Sequence, residues 1–226
     1  VKQNRGKGLT HYTARYRMKT GTHQTAEDRN RGQNMDNREV ILETALELFY
    51  TRGYDAVGVQ EIAERSGVTK PTLYYYFKSK YGLLEQLLAS RSEAFAEEMR
   101  QACRYEGDLK NTLCRAAGTA AAFVEREPAF SALFVALYHS AKGNEAYRAV
   151  RPLVIRLQRQ IEQIFEAASG DLGNMHGRQR QFSLGFIGLV LYYIVMKQEI
   201  SSDAAVKISR EEIEALVHQF MHGIYS

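Results

Sequence analysis

Apolar residues recur every three or four positions along most of the chain and nowhere alternate in the manner of a strand. Ile41, Ala45, Leu48 and Phe49 share one face of a first helix, with Asp36 and Glu39 as a capping-box start and Gly53 as its stop. A short helix is predicted from about Val59 to Ser66, and Ser66-Gly67 then makes a turn. Thr69 caps a third helix that ends near Phe77, with Pro71 in the first turn, where its missing N–H costs nothing. Ser79 caps a long fourth helix whose face carries Leu84, Leu87, Leu88, Phe95 and Met99.

Beyond Gly107 the same period predicts helices over 109–126, 128–140 and 144–168, the last kinked or restarted at Pro152. A loop covers Asp171 to Gly177, a longer apolar helix covers 178–197, and a final helix follows Ser209, with Glu212 completing a second capping box. The fold class is therefore all-α. A three-helix helix-turn-helix domain spans residues 36–82, followed by a larger helical bundle over 83–226 for ligand binding and dimerisation. Only three prolines interrupt a chain rich in good helix formers.

Charge changes this picture at one place. The formal net charge is +4, but residues 1–34 hold eight Lys/Arg and two Asp/Glu, leaving 22 basic and 24 acidic residues in the remainder. Residues 1–35 lack apolar periodicity and are expected to be a disordered basic extension. Such a stretch can act as an arm that grips phosphates; sequence upstream of a start at Met35 or Met18 is the plainer expectation. Any DNA-binding role must then rest on a local motif.

Two cysteines, Cys103 and Cys114, supply neither a disulfide framework nor a C-x-x-C site and are expected to be core residues. The longest apolar run, Phe182 to Met196, contains Ser183, Gly185 and Gly188 and is shorter than the roughly 20 residues a spanning helix needs. With no signal peptide in the first 34 residues, the expected location is cytoplasmic.

The local motif lies between Val59 and Phe77. Ala63 is small enough for two helices to cross closely, and Gly67 supplies a turn that other residues would strain. Burial of Ile62, Val68, Leu73 and Phe77 would leave Thr69, Lys70, Thr72, Tyr75 and Tyr76 on the outer side of the third helix. The N-terminus of that helix offers free N–H groups to phosphate. Thr and Lys can bond to base edges, and a Tyr ring can pack on a thymine methyl. Lys78 and Lys80 stand where they could grip backbone. Four aromatics in a row, Tyr74 to Phe77, cannot all face one core; an exposed aromatic cluster beside lysines marks a binding surface.

Leu48-Phe49, Gly53-Tyr54, Val59, Ile62-Ala63, Gly67-Val68-Thr69, Thr72-Leu73-Tyr74, Tyr76-Phe77, Ser79-Lys80 and Leu83-Leu84 together resemble the DNA-binding segment of the TetR family of regulators. Two departures, Gly58 for a capping Thr and Pro71 for Gly, are tolerated at a helix start. The resemblance implies that Gln60, Lys70, Thr72 and Tyr75 reach bases and that Tyr74, Tyr76 and Lys80 hold phosphates. Packing of the small domain is the competing role for Tyr74 and Tyr76. The resemblance also implies a C-terminal bundle that binds a small molecule and forms a dimer.

Leu184, Gly185, Ile187, Gly188, Leu191 and Val195 make a stripe that would pair with Ile213, Leu216, Val217 and Phe220 in a four-helix dimer interface. An ordinary intrachain core is the alternative. Phe130, Phe134, Tyr138, His139, Tyr147, Arg151 and Tyr192 are the pocket candidates and suit an apolar or aromatic effector. Glu214, His218 and His222 share one face of the last helix; two histidines at this spacing can hold zinc, but a satisfied interface face is the expectation, with no metal and no cofactor. No nucleophile elbow, phosphate loop or zincin motif argues for an enzyme. The predicted function is a dimeric repressor on a palindromic operator of double-stranded DNA, released by a small molecule. The alternatives are an activator, a ligand-independent DNA-binding protein and, remotely, an enzyme carried by the bundle.

Overall fold

The computed structural model describes residues 26–172, 177–200 and 207–223, with side chains from 37 in the first stretch and up to 198 in the second. Nine α-helices stand among them: α1 (Ala26–Arg52), α2 (Val59–Arg65), α3 (Lys70–Phe77), α4 (Lys80–Ala102), α5 (Leu109–Arg126), α6 (Pro128–Tyr138), α7 (Glu145–Ala167), α8 (Gln179–Ile200) and α9 (Arg210–His222). No strand occurs among the described residues.

The predicted punctuation largely holds. Gly53 ends α1 at φ 82° and Gly67 makes the α2–α3 turn at φ 69°, a left-handed backbone that disfavours residues with a Cβ. The side chains of Thr69, Ser79 and Ser209 accept from the backbone N–H groups of Thr72, Gly82 and Glu212, and the Ser209–Glu212 capping box is complete.

Two boundaries differ from expectation. Helix α1 begins at Ala26 rather than Asp36, so residues 26–35, expected to be disordered, are helical. Once a helix is anchored downstream, each added turn gains hydrogen bonds without a new nucleation cost. Residues 1–25 lie outside the described residues. Helix α7 runs through Pro152 without a break, because good helix formers and a buried face on both sides hold it.

Chain contacts separate residues 1–37 from residues 38–226. Within the second unit two apolar clusters form. The first joins Ile41, Leu48 and Phe49 of α1, Ile62, Leu73 and Phe77 of α2–α3, and Leu84 and Leu87 of α4 to Phe130, Leu137 and Val150 of α6–α7. The second gathers Leu113 and Ala117 of α5, Ile161 and Phe165 of α7, Phe186 and Ile194 of α8, and Ile213, Leu216 and Val217 of α9. Arg91 on α4 binds Glu43 and, at 3.0 Å, Glu39, both on α1, and so ties the long fourth helix to the first.

Candidate nucleic-acid interface

The inner side of α3 is anchored by Leu73 and Phe77, which are fully buried against Ile62 and Ala63 of α2 and Leu83 and Leu84 of α4. With those two residues held inward, helical geometry turns Tyr75 out, and its side chain is 69% exposed. Tyr74 is 38% exposed. Tyr76 packs half-buried against the core beside Phe77, as its position three residues after Leu73 requires. Of the two tyrosines expected on the outer side, Tyr75 is exposed and Tyr76 leans inward; Tyr74, a phosphate position by resemblance, is exposed as well.

Cations flank these rings. The Lys70 ammonium lies 5.9 Å from the Tyr74 ring centre, and that of Lys78 lies 5.8 Å from the Tyr75 ring. Thr69 and Thr72 share a 2.8 Å hydrogen bond at the helix N-terminus, and Gln60 donates to Glu64 at 2.7 Å. Lys78 adopts φ 64°, ψ −38°, a rare backbone state for a residue with a side chain, and closes α3 as the residue after Phe77. Periodicity carries no sign of that strain. Periodicity does not mark Gly82 either: a Cβ there would collide with the Phe77 carbonyl oxygen, so glycine lets α4 start against the end of α3.

Lys80 is placed differently from expectation. Its ammonium sits 4.1 Å over the Tyr54 ring instead of projecting outward. Burial pushes its pKa below the usual lysine value, while Asp55 and Glu145 act to raise it. Those carboxylates, distant in sequence, favour the charge of the side chain in this half-buried position.

The bundle redistributes the remaining candidates. Tyr138 and Tyr147 stack at 5.8 Å, and with Arg151 they line an open cleft of about 400 Å³ along α7. Val154, Ile155, Gln158, Arg159, Glu162 and Arg180 complete its walls. Phe130 belongs instead to the closed core, Phe134 packs beside it, and His139 is exposed next to Tyr138. Tyr192 is 68% exposed on α8 and does not line the cleft. The sequence held one signal of the cleft, the pair Arg151 and Arg159 along α7.

Of the stripe expected to meet a second copy, Leu184 is 50% exposed, Leu191 and Gly188 are exposed, and Ile187 and Val195 are half-buried. Ile213, Leu216 and Val217 are a correction. They are buried within the chain, because α9 lays its apolar side on α5 and α8. Phe220 packs edge-on against Phe186 and beside Gly185. His218 and His222 stand exposed on α9 with ring centres 4.5 Å apart, while Glu214 is engaged by Arg210 at 2.7 Å. Among the described residues no group of three metal-ligating side chains forms, and no helix is long and apolar enough to cross a membrane.

Residues 41–87 match the family model described as bacterial regulatory proteins, tetR family. The transcriptional activator FasR of Mycolicibacterium smegmatis is 28% identical over 182 residues, 79% of this chain and 81% of that protein. The class C tetracycline repressor of Escherichia coli is 43% identical over 54 residues, 24% of this chain and 25% of its own length. The fold is shared with FadR of Bacillus subtilis, solved in complex with stearoyl-CoA, at TM-score 0.68 and 18% identity, over 83% of this chain and 99% of that one. Residues 41–87 thus carry the TetR-family DNA-binding pattern, and the chain is similar along most of its length to a DNA-binding transcriptional regulator.

Proposed function

We propose that this chain is a repressor that binds a palindromic operator as a homodimer and is released by an amphipathic anion of the acyl-CoA kind. The carrying observation is the split of α3, with Leu73 and Phe77 buried on one side and Tyr75 exposed beside lysines on the other. One such helix fits a major groove; two held by a dimer must meet grooves about 34–36 Å apart. The exposed stripe of Leu184, Gly188 and Leu191 on α8 suits that dimer, since one self-complementary face serves both copies.

The cleft supports the effector class. Neither Arg151 nor Arg180 forms an ion pair among the described residues, and both face the space beside the stacked Tyr138 and Tyr147. Unpaired guanidinium groups suit phosphates, tyrosine rings suit a flat base, and Val154 with Ile155 suits an alkyl chain. That combination differs from the purely apolar or aromatic effector expected earlier. Stearoyl-CoA, the ligand seen with the FadR neighbour, joins all three parts.

The test is a gel shift on the DNA upstream of the chain's own gene, with stearoyl-CoA, CoA and stearate added separately. Release by stearoyl-CoA alone supports the reading, and no release by any of them removes the effector class. A reporter on the same DNA gives the direction of control. Transcription that rises with added protein would move the chain to the activator role that FasR carries in its name.

A further inference from the structure

We propose that a polar junction at the turn between α6 and α7 couples the DNA-reading unit to the cleft on the bundle. The inference rests on the reading that α3 meets DNA, and it adds a route by which that event is felt elsewhere. Tyr54, buried after the end of α1 with its ring edge-on to Phe49 at 5.1 Å, donates its hydroxyl to Glu145 Oε2 at 2.8 Å. The next residue, Asp55, accepts at 2.7 Å from Nδ2 of Asn144. The other end of the Asn144 amide, Oδ1, accepts from the Ala146 N–H at 2.9 Å and caps α7. Two adjacent residues of the α1–α2 loop are thus bonded to two adjacent residues at the first turn of α7.

Each side of this junction leads to a surface with a role. On the bundle side, Glu145 lies two residues before Tyr147, whose ring forms the cleft wall with Tyr138. Because Asn144 both caps α7 and holds Asp55, a shift of the first turn of α7 must carry the α1–α2 loop or break its bonds. On the DNA side, the ring that binds Glu145 also carries the Lys80 ammonium at 4.1 Å, where Asp55 and Glu145 favour its charge. If Lys80 leaves Tyr54 for a phosphate, both carboxylates lose that cation. Phosphate contact and closure of the junction then compete for one lysine, and such a linkage acts equally in both directions.

A brace that only held the domains together would bear the same bonds, so the test measures response rather than stability. Amide hydrogen exchange is followed in the full chain, free and bound to the DNA upstream of its gene. DNA should slow exchange over residues 69–77 and change exchange over 139–147 by at least about threefold. In the double variant Tyr54→Phe, Glu145→Gln, which keeps the ring and the core, DNA should still protect 69–77 while 139–147 no longer responds. Asp55→Asn, which leaves Tyr54 and Glu145 intact, provides a second variant and should weaken the response of 139–147 in part. A parent chain in which 139–147 ignores DNA, or a double variant in which it responds as in the parent, overturns the junction. A parent chain in which 69–77 itself is unprotected overturns the DNA reading and the junction with it, and the two failures are told apart by which segment is silent.

Discussion

Two regions leave large hydrophobic side chains in solvent, and they differ in what surrounds them. On α3, Tyr74 and Tyr75 each have a lysine ammonium about 6 Å from the ring. On α8, Leu184 and Leu191 flank Gly188 along one open face with no lysine or arginine between them. An aromatic surface rimmed by cations suits a polyanion with flat bases; a glycine-lined aliphatic stripe suits close approach of another helix. Apolar exposure alone says that something binds. The rim says what.

The largest effect should come from the α8 side. Leu184→Glu with Leu191→Glu places charges on the proposed two-fold face and should give a monomer by light scattering. Loss of paired half-sites should then weaken operator binding by at least about a hundredfold. Leu216→Ala on α9 sharpens the comparison, since Leu216 is buried in the chain's own core. It should cost about 2–5 kcal/mol in denaturant unfolding while the protein that remains folded stays dimeric. A monomer from Leu216→Ala, or a dimer from the glutamate pair, would break the contrast.

Next in size is Tyr75→Ala. It should weaken specific DNA by about 1–3 kcal/mol, the worth of one good base contact, and leave the dimer intact. Lys78→Gly should act in two directions. It relieves the rare backbone of Lys78, raising stability by about 1 kcal/mol, and it removes a proposed phosphate contact, which should lower the salt dependence of binding by about one counterion. Lys80→Ala should change the salt dependence less than Lys78→Gly, because its ammonium is held over Tyr54.

The smallest expected effect concerns pH at the other end of the molecule. Lys197, the Ser209 N–H and the Tyr193 hydroxyl hold the Glu212 carboxyl from its usual 4.5 down to about 2. A depressed carboxyl stabilises the fold above its unfolded value and loses that contribution as pH falls through the folded one. The melting temperature should therefore drop between about pH 4.5 and pH 2, and Glu212→Gln should flatten that drop. An unchanged profile would mean that the α8–α9 contact does not depend on this charge.

Much of the reading unit was legible because its signals are local. Thr69, Ser79 and Ser209 cap helices through bonds that span three residues, and Gly53 and Gly67 mark backbone states that few other residues enter. Leu73 and Phe77, four apart, had to share a face, and so Tyr75 had to leave it. Lys80 shows where this stops. Its neighbours in sequence recommend it for phosphate, but its ammonium lies over the Tyr54 ring, where Asp55 and Glu145, one of them 65 positions away, favour its charge.

By itself the chain's order of residues determined the helices after α1, the caps at Thr69, Ser79 and Ser209, the burial of Leu73 and Phe77 opposite Tyr75, and the family pattern, all of which follow from spacings of a few residues. Only the tertiary structure decided which buried stripe meets which partner. Periodicity marks Leu216 and Leu191 alike as one face of a helix, yet α5 covers the first and leaves the second open. A hydrophobic face is indifferent to what removes it from water, so the choice between self and second copy lies in packing and not in pattern.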